Sequence, residues 1–392
     1  MKILYFIICL FIIFEILTYL FIKNFKNIKW IVTNTNLYKL FNFKKFTKFK
    51  KNNFNYNLGW DKKPNFKNFD YLNKKKIFYS IDKKGFRSSA FKNKYNKIIS
   101  YGDSYTFCRQ VNNNETWQEI ISKYNKIFVS NFAVGNYGLD QAYLKYTLQG
   151  QNLKTEHIIF GFVPETICRI QSSWKHYIEF GNLHGFKPYC KLKNNKLIIK
   201  QNPLKKKTNF LGIKNVINFT KLNDRFYKEK YLKYLFKFPY LLSFIKNYNF
   251  NTKVFYKITF SNIFSKKKDI DKEIFPIVME SNIKISHQLY KENYSQELLK
   301  KLIIKINKEI SKKKIKCYFI IFPQLFDLKL SSRMNYQFFF KKLNKELNVL
   351  DLTDHFLIKK NYEKLFTNDK YGGHLNKKGN KFVAKIIQKH LF

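Results

Sequence analysis

Apolar residues run from Ile3 to Ile22, broken only by Glu15 and Thr18, which is close to the ~20 residues that span a bilayer. The run predicts a transmembrane helix. A cleavable signal peptide is the rival, but no Ala-x-Ala-like site precedes Asn24-Phe-Lys-Asn-Ile-Lys29, so the reading is an uncleaved anchor. Glu15 is costly in lipid and marks either a helix partner or a tolerated acid. Residues 24–75 are rich in Lys, Asn and Phe without sustained periodicity, and read as a juxtamembrane linker that gains structure towards Leu58-Gly-Trp60. The pattern sharpens at Lys76. Ile77–Ile81 reads as a strand and Asp82–Gly85 as a turn, and Ile98–Tyr101 is a short apolar strand stopped by Gly102. A helix over Glu115–Tyr124, a strand over Ile127–Asn131, a helix over Leu139–Leu148 and a strand over Ile158–Phe162 follow. This alternation predicts βαβ units and a mainly parallel sheet.

The rhythm stops between about residues 170 and 293. Tyr189–Lys193 and Leu197–Lys200 around Asn194-Asn195 predict a hairpin. The Lys/aromatic stretch from Lys205 to Lys268 is helical in parts, Tyr227–Phe238 among them. This middle part is a cap beside the site or a surface insertion. Alternation then returns with a helix from an N-cap at Ser295 to about Lys313 and a strand over Lys316–Phe322. After these come a helix over Tyr336–Leu347, a strand over Val349–Leu352 and a helix over Asn376–His390.

Length and charge add limits. The 392 residues allow one large domain with insertions, or two domains, besides the anchor. A net charge of +49, from 75 Lys+Arg against 26 Asp+Glu, would ordinarily suggest a polyanion partner. The lysines, however, are spread along the whole chain together with Asn, Ile, Tyr and 43 Phe, which favours a solvated basic surface, and no nucleic-acid module is present. The five cysteines, Cys9, Cys108, Cys168, Cys190 and Cys317, are odd in number and show no Cys-x-x-Cys spacing. Neither a disulfide framework nor a zinc site is indicated.

The candidate chemistry starts at Gly102-Asp-Ser104. A serine between a strand end and a helix start sits at the edge where open α/β sheets place ligands, so Ser104 is the candidate nucleophile. Three further stretches carry related signals: Asn131-Phe-Ala-Val-Gly-Asn-Tyr-Gly138, Gly161-Phe-Val-Pro-Glu-Thr166 and Gly373-His-Leu-Asn-Lys-Lys-Gly379. In this order the four stretches resemble the blocks of the SGNH hydrolases, the GDSL-type esterases and lipases, over Tyr79–Lys175 and Lys314–Phe392, about half of the chain. The resemblance implies an α/β fold, a three-layer α/β/α sandwich of flavodoxin-like type. It divides the chain into an anchor (1–23), a linker (24–75), a first core part (76–169), an insertion (170–293) and a second core part (294–392).

The resemblance also implies roles. His374 is the base. The orienting aspartate of the family stands three residues earlier, where this chain has Tyr371; Asp369 is the nearest acid and the candidate, or Ser104 and His374 work as a dyad. The oxyanion donors are the Ser104 amide, the amide at Asn136 where the family has glycine, and a third-block side chain. That last place falls at Glu165 or Thr166, depending on register, and a threonine hydroxyl can donate whereas an ionised glutamate cannot. The implied activity is an esterase or acyl transferase working on an acyl ester, such as that of a surface glycan, without metal or cofactor. The body would lie outside the cytoplasm at the end of a single-pass anchor. A non-catalytic membrane-tethered binding module, or a basic polyanion binder, are the alternatives.

Overall fold

The computed structural model describes residues 1–25, 31–33, 36–72, 75–149, 154–264, 270–369 and 373–392. The N-terminal apolar run is one helix, α1 (Lys2–Phe25), exposed along most of its length and long and apolar enough to cross a membrane. Its last turns seat in the body, where Ile22 is buried.

The segment expected to be a linker carries structure of its own. Phe43, Phe46 and Phe49 recur at helical spacing among lysines in α2 (Phe43–Asn52), capped by Asn42, and Phe46 is buried in the main core. β1 (Phe54–Asn55) and β2 (Gly59–Trp60) form a short ladder, and β3 (Lys67–Leu72) pairs antiparallel with β4 (Lys75–Ser80). Of these, β4 is the strand expected over Ile77–Ile81, whereas α2, β1, β2 and β3 have three apolar anchors at most, too few to stand out as a period.

The regular part follows as β5 (Asn96–Gly102), α3 (Ser104–Phe107), α4 (Trp117–Asn125), β6 (Phe128–Asn131), α5 (Leu139–Gln149), β7 (His157–Phe162) and α6 (Thr166–Arg169). The insertion opens with the antiparallel hairpin β8 (Tyr189–Lys193) and β9 (Lys196–Lys200), turned by Asn194 and Asn195, both at positive φ. It goes on through α7 (Ile213–Asn223), α8 (Arg225–Glu229), α9 (Tyr240–Lys246), α10 (Tyr248–Phe264) and α11 (Ile270–Leu289). The chain returns through α12 (Asn293–Ser311), β10 (Lys316–Ile321), α13 (Leu325–Lys329), α14 (Met334–Leu343), β11 (Val349–Asp351), α15 (Thr353–Leu357) and α16 (Lys377–Leu391).

Two local expectations change. Ser295 is not an N-cap: α12 begins before it, and its hydroxyl instead meets Gln171, Arg225 and Glu292 in a polar cluster with the insertion. The stretch Tyr227–Phe238 is helical only through the end of α8 and a 3-10 turn over Tyr231–Lys233, which ends before Pro239.

Five strands form one sheet in the order β11-β10-β7-β5-β6, with every pairing parallel. Alternate strand residues serve two cores. Ile99, Tyr101, Ile158, Phe160, Phe319 and Ile321 pack under α5, α12 and α14. Ile98, Val129, Ile159, Ile320 and Phe322 pack under α4 and α16, against Trp117, Ile121, Val383 and Ile387. The architecture is therefore the three-layer α/β/α sandwich that the alternation and the four blocks anticipate. The insertion shares the first core: Trp174, Tyr177 and Phe186 belong to it, with Trp174 stacked on Phe186 at 4.6 Å between centroids.

The strand order reverses between β5 and β7. In an open sheet, ligands bind in the crevice at such a switch point, outside the carboxyl ends of the strands. Ser104 follows β5 at that place.

Candidate active site

The turn after β5 is built for close approach. Gly102 has φ +154°, and a Cβ there would clash with the Gly161 carbonyl oxygen at the end of β7. The Thr106 hydroxyl donates to that same carbonyl (2.8 Å), which ties the first turn of α3 to the neighbouring strand. Asp103 pins the turn from the other side. Its carboxylate accepts Tyr105 N–H (2.9 Å) and Val163 N–H (3.0 Å) and meets Arg169 Nη1 at 3.4 Å. Burial raises the Asp103 carboxyl against the pull of Arg169 and the two amides. Of the three residues Gly102-Asp-Ser104, then, two shape the turn and one presents a hydroxyl.

That hydroxyl has a candidate base. His374 Nε2 lies 3.0 Å from Ser104 Oγ, and its Nδ1 lies 3.1 Å from Asp369 Oδ2. The two contacts select one tautomer: Nδ1–H donates to the carboxylate, and Nε2 is left to accept the serine proton. Ser104 and His374 are only 6% and 8% exposed, so the contact is largely shielded from water yet still reachable. Asp369 stands five residues before His374, and the described residues on either side of that interval meet directly. Thr367 N–H donates to His374 O (2.7 Å), and the Thr367 hydroxyl donates to Asp369 Oδ2 (2.6 Å). His374 N–H lies 3.1 Å from both Thr367 Oγ1 and Asp369 Oδ2. Tyr371 lies outside the described residues. Beyond the loop, Asn376 caps α16 by accepting Gly379 N–H. Tyr105, next to the serine, donates its phenol to Gly373 O (2.6 Å) and lays its ring 5.0 Å from the imidazole. The helix that carries Ser104 thereby holds the backbone beside His374.

The second block lies beside the serine: a Cβ on Gly135 would sit 3.9 Å from Ser104 Cβ. Asn136 adopts φ +70°, the left-handed backbone that asparagine tolerates better than most residues. The block is held from three directions. Trp60 Nε1–H donates to Gly135 O (3.1 Å), Tyr137 OH donates to Trp60 O (2.5 Å), and Arg169 Nη1 donates to Tyr137 O (3.1 Å). Asn131 opens the block by donating to Thr106 O (2.9 Å), so the first and second blocks are one hydrogen-bonded unit.

The third block also holds neighbouring structure. The Thr166 hydroxyl oxygen accepts Leu139 N–H (2.9 Å) at the start of α5, which leaves its O–H able to donate. Glu165 pairs with Arg169 Nη2 at 2.7 Å and accepts from Asn282 Nδ2. Burial alone would raise the Glu165 carboxyl, but Arg169, Lys175 and Lys230 overcome it and hold the carboxyl low. Among the described residues, neither third-block side chain is hydrogen-bonded to Ser104. Next to the second block a pocket of about 330 Å³ opens, lined by Trp60, Tyr79, Arg109, Asn136 and Asn182 among others.

Sequence reasoning missed Arg169, which joins the first, second and third blocks, and Arg87, whose guanidinium gathers the carbonyls of Phe107, Cys108 and Val111 behind the nucleophile turn. Both are buried, and only five of the 75 basic residues are arginines. That rarity was the available signal. Cys108, close by, is no rival nucleophile, since burial pushes its thiol up to about 12. Among the described residues no cluster of three His, Cys, Asp or Glu side chains is placed to hold a metal.

No family model matches the sequence, and no curated protein matches it. Among solved structures, the chain is similar to one described as a lipolytic protein of the G-D-S-L family from Desulfitobacterium hafniense. The identity is 10% and the TM-score 0.34, over 75% of this chain and 99% of that one. It is also similar to a member of the lipolytic G-D-S-L family from Veillonella parvula, at 11% identity and a TM-score of 0.34, over 75% of this chain and 96% of that one.

Proposed function

We propose that this chain is a membrane-anchored serine hydrolase of the SGNH type, acting on an acyl ester as an esterase or an acyl transferase. Its body would face away from the cytoplasm, where surface glycans present such esters. The reading is carried by one observation, the unbroken hydrogen-bond chain Ser104 Oγ, His374, Asp369 at the switch point of the sheet. In the reaction Ser104 Oγ attacks the ester carbonyl carbon while His374 Nε2 takes its proton and Asp369 steadies the imidazolium. The N–H groups of Ser104 and Asn136 hold the oxyanion. The alcohol leaves with the proton from His374, and the acyl-serine is then resolved by water or by an acceptor hydroxyl through the same base.

Labelling the full-length protein in detergent with a fluorophosphonate probe tests this reading. Labelling that disappears in both Ser104→Ala and His374→Ala establishes an activated serine. A folded parent that does not label sinks it. The second reading, a binding module that keeps the fold without turnover, has one observation in its favour: Glu165, one of the two third-block side chains, is a carboxylate paired with Arg169 and donates nothing, and a missing oxyanion donor costs about 10²–10³ in rate.

A further inference from the structure

Glu15 lies within the apolar run of α1, seven residues before Ile22, which is about 10 Å along the helix axis. Its carboxylate is not left to lipid. One oxygen accepts Tyr240 N–H (2.6 Å) and the other accepts Leu241 N–H (2.7 Å), the first amides of α9. These N–H groups open a helix and have no intrahelical partner, so the acid and the amides satisfy each other. Aromatic contacts extend the join, with Tyr19 against Tyr240 at 5.4 Å and Phe21 against Phe255 of α10 at 4.5 Å between centroids. Two helices of the insertion therefore lie against a membrane-spanning candidate, one of them starting well inside its apolar length.

Their outward faces match that position. Leu242 and Ile245 on α9 are 48% and 55% exposed. On α10, Tyr248, Phe255, Tyr256 and Phe260 are between 41% and 59% exposed, and together with Thr252 and Thr259 they form one stripe at helical spacing. The stripe carries no charge. Lys253 and Lys257 turn instead to Glu280 (3.0 Å) and Glu273 (3.4 Å) of α11. The two threonines donate to carbonyls four residues back, Thr252 to Tyr248 O (2.7 Å) and Thr259 to Phe255 O (2.9 Å), and so need no water. A patch of this kind on a soluble face would be an aggregation liability. Here it is continuous with α1.

We infer that α9 and α10 form a second membrane-seated element, with lipid acyl chains against the exposed stripe: α9 enters the hydrocarbon beside α1 at the depth of Glu15, and α10 lies at the boundary with its aromatic face inward. The inference rests on the reading of α1 as a membrane anchor, and its test separates the two. Cys9 on α1 is the exposed cysteine, whereas Cys108, Cys168, Cys190 and Cys317 are buried, so single nitroxide labels can be placed. The full-length protein in lipid nanodiscs is labelled at Cys9 or, in a Cys9→Ser background, at Leu242→Cys, Tyr256→Cys and the exposed Ile358→Cys. Collision rates with oxygen, which partitions into lipid, and with a water-soluble nickel chelate are then compared. The expected result is an oxygen-to-nickel ratio several-fold higher at positions 9, 242 and 256 than at 358. Nickel access at 242 and 256 with Cys9 still in lipid would overturn the inference and leave the anchor standing. Poor access of both reagents at 242 and 256 would mean protein, such as a second copy of the chain, covers the stripe, and would overturn it too. Nickel access at Cys9 would refute the anchor and the inference together.

Discussion

Asp369→Ala is the sharpest perturbation of the proposed machinery, because one carboxylate oxygen performs two tasks. Oδ2 takes the ring Nδ1–H at 3.1 Å, and it also takes the Thr367 hydroxyl at 2.6 Å and His374 N–H at 3.1 Å. The first contact sets the tautomer and faces the imidazolium that forms when Ser104 gives up its proton; the other two shape the loop. A carboxylate about 4 Å from a developing positive charge contributes up to about 4 kcal/mol at an effective dielectric near 20. Loss of the correct tautomer adds to this. The second-order rate of fluorophosphonate labelling should therefore fall by roughly 10³–10⁴, equivalent to about 4–5.5 kcal/mol. Thr367→Val separates the tasks, since it removes the hydroxyl's contacts with Asp369 Oδ2 and His374 N–H and leaves Nδ1 its partner; because His374 N–H keeps Asp369 Oδ2, it should cost no more than about tenfold. Labelling of Asp369→Ala within tenfold of the parent would refute the reasoning and leave a serine–histidine dyad. Equal losses in the two variants would refute it differently, by showing that loop shape and not the ring partner is what matters.

Two further outcomes follow from the geometry. Arg169→Met leaves Asp103 buried without its guanidinium and Glu165 with only Lys175 and Lys230, and should destabilise the fold by about 3–5 kcal/mol in urea titration at pH 8. Stripped of the guanidinium, the buried Asp103 carboxyl holds its proton more tightly still in the folded state, so the deficit against the parent should shrink as pH falls from 8 to 5; a pH-independent deficit would argue that packing alone is lost. Asn136→Gly keeps the backbone amide and relieves a left-handed backbone, so stability should hold or rise by up to about 1 kcal/mol with labelling within threefold of the parent, whereas Asn136→Val should lose both. Equal behaviour of the two variants would remove the amide from the oxyanion hole.

The legible parts of the chain were those where a local pattern carried the information. Ile98–Tyr101, Ile158–Phe162 and Cys317–Phe322 are short apolar runs that end in glycine or proline or pass into a loop, and each became a strand of the central sheet, the first two with a candidate residue beyond the carboxyl end. Ser104 and His374 were readable because glycines and a cap surround them. The contacts that hold the site were not readable, because they join distant residues through one or two atoms. Trp60 meets Gly135 across 75 positions and Arg169 meets Asp103 across 66. In a chain so rich in lysine, two buried guanidiniums hide among charges that merely face water, although the fork of arginine is what a site with several acceptors requires. Thr166 was ambiguous for a related reason: a hydroxyl can serve an oxyanion, a helix start or both, and only the third dimension shows that its oxygen accepts Leu139 N–H.

The hydrogen bond between Ser104 and His374 closes over 270 positions of sequence. A ribosome adding about 5–20 residues per second needs roughly 15–50 s to pass from one to the other. Throughout that interval α1 has already emerged, and the serine-bearing turn can form without any imidazole to activate it. On the proposed mechanism the nascent protein would be built inert, and any product that stops short of residue 374 would stay so. Reactivity would arrive last, after the apolar helix α1 has had its time to reach a membrane.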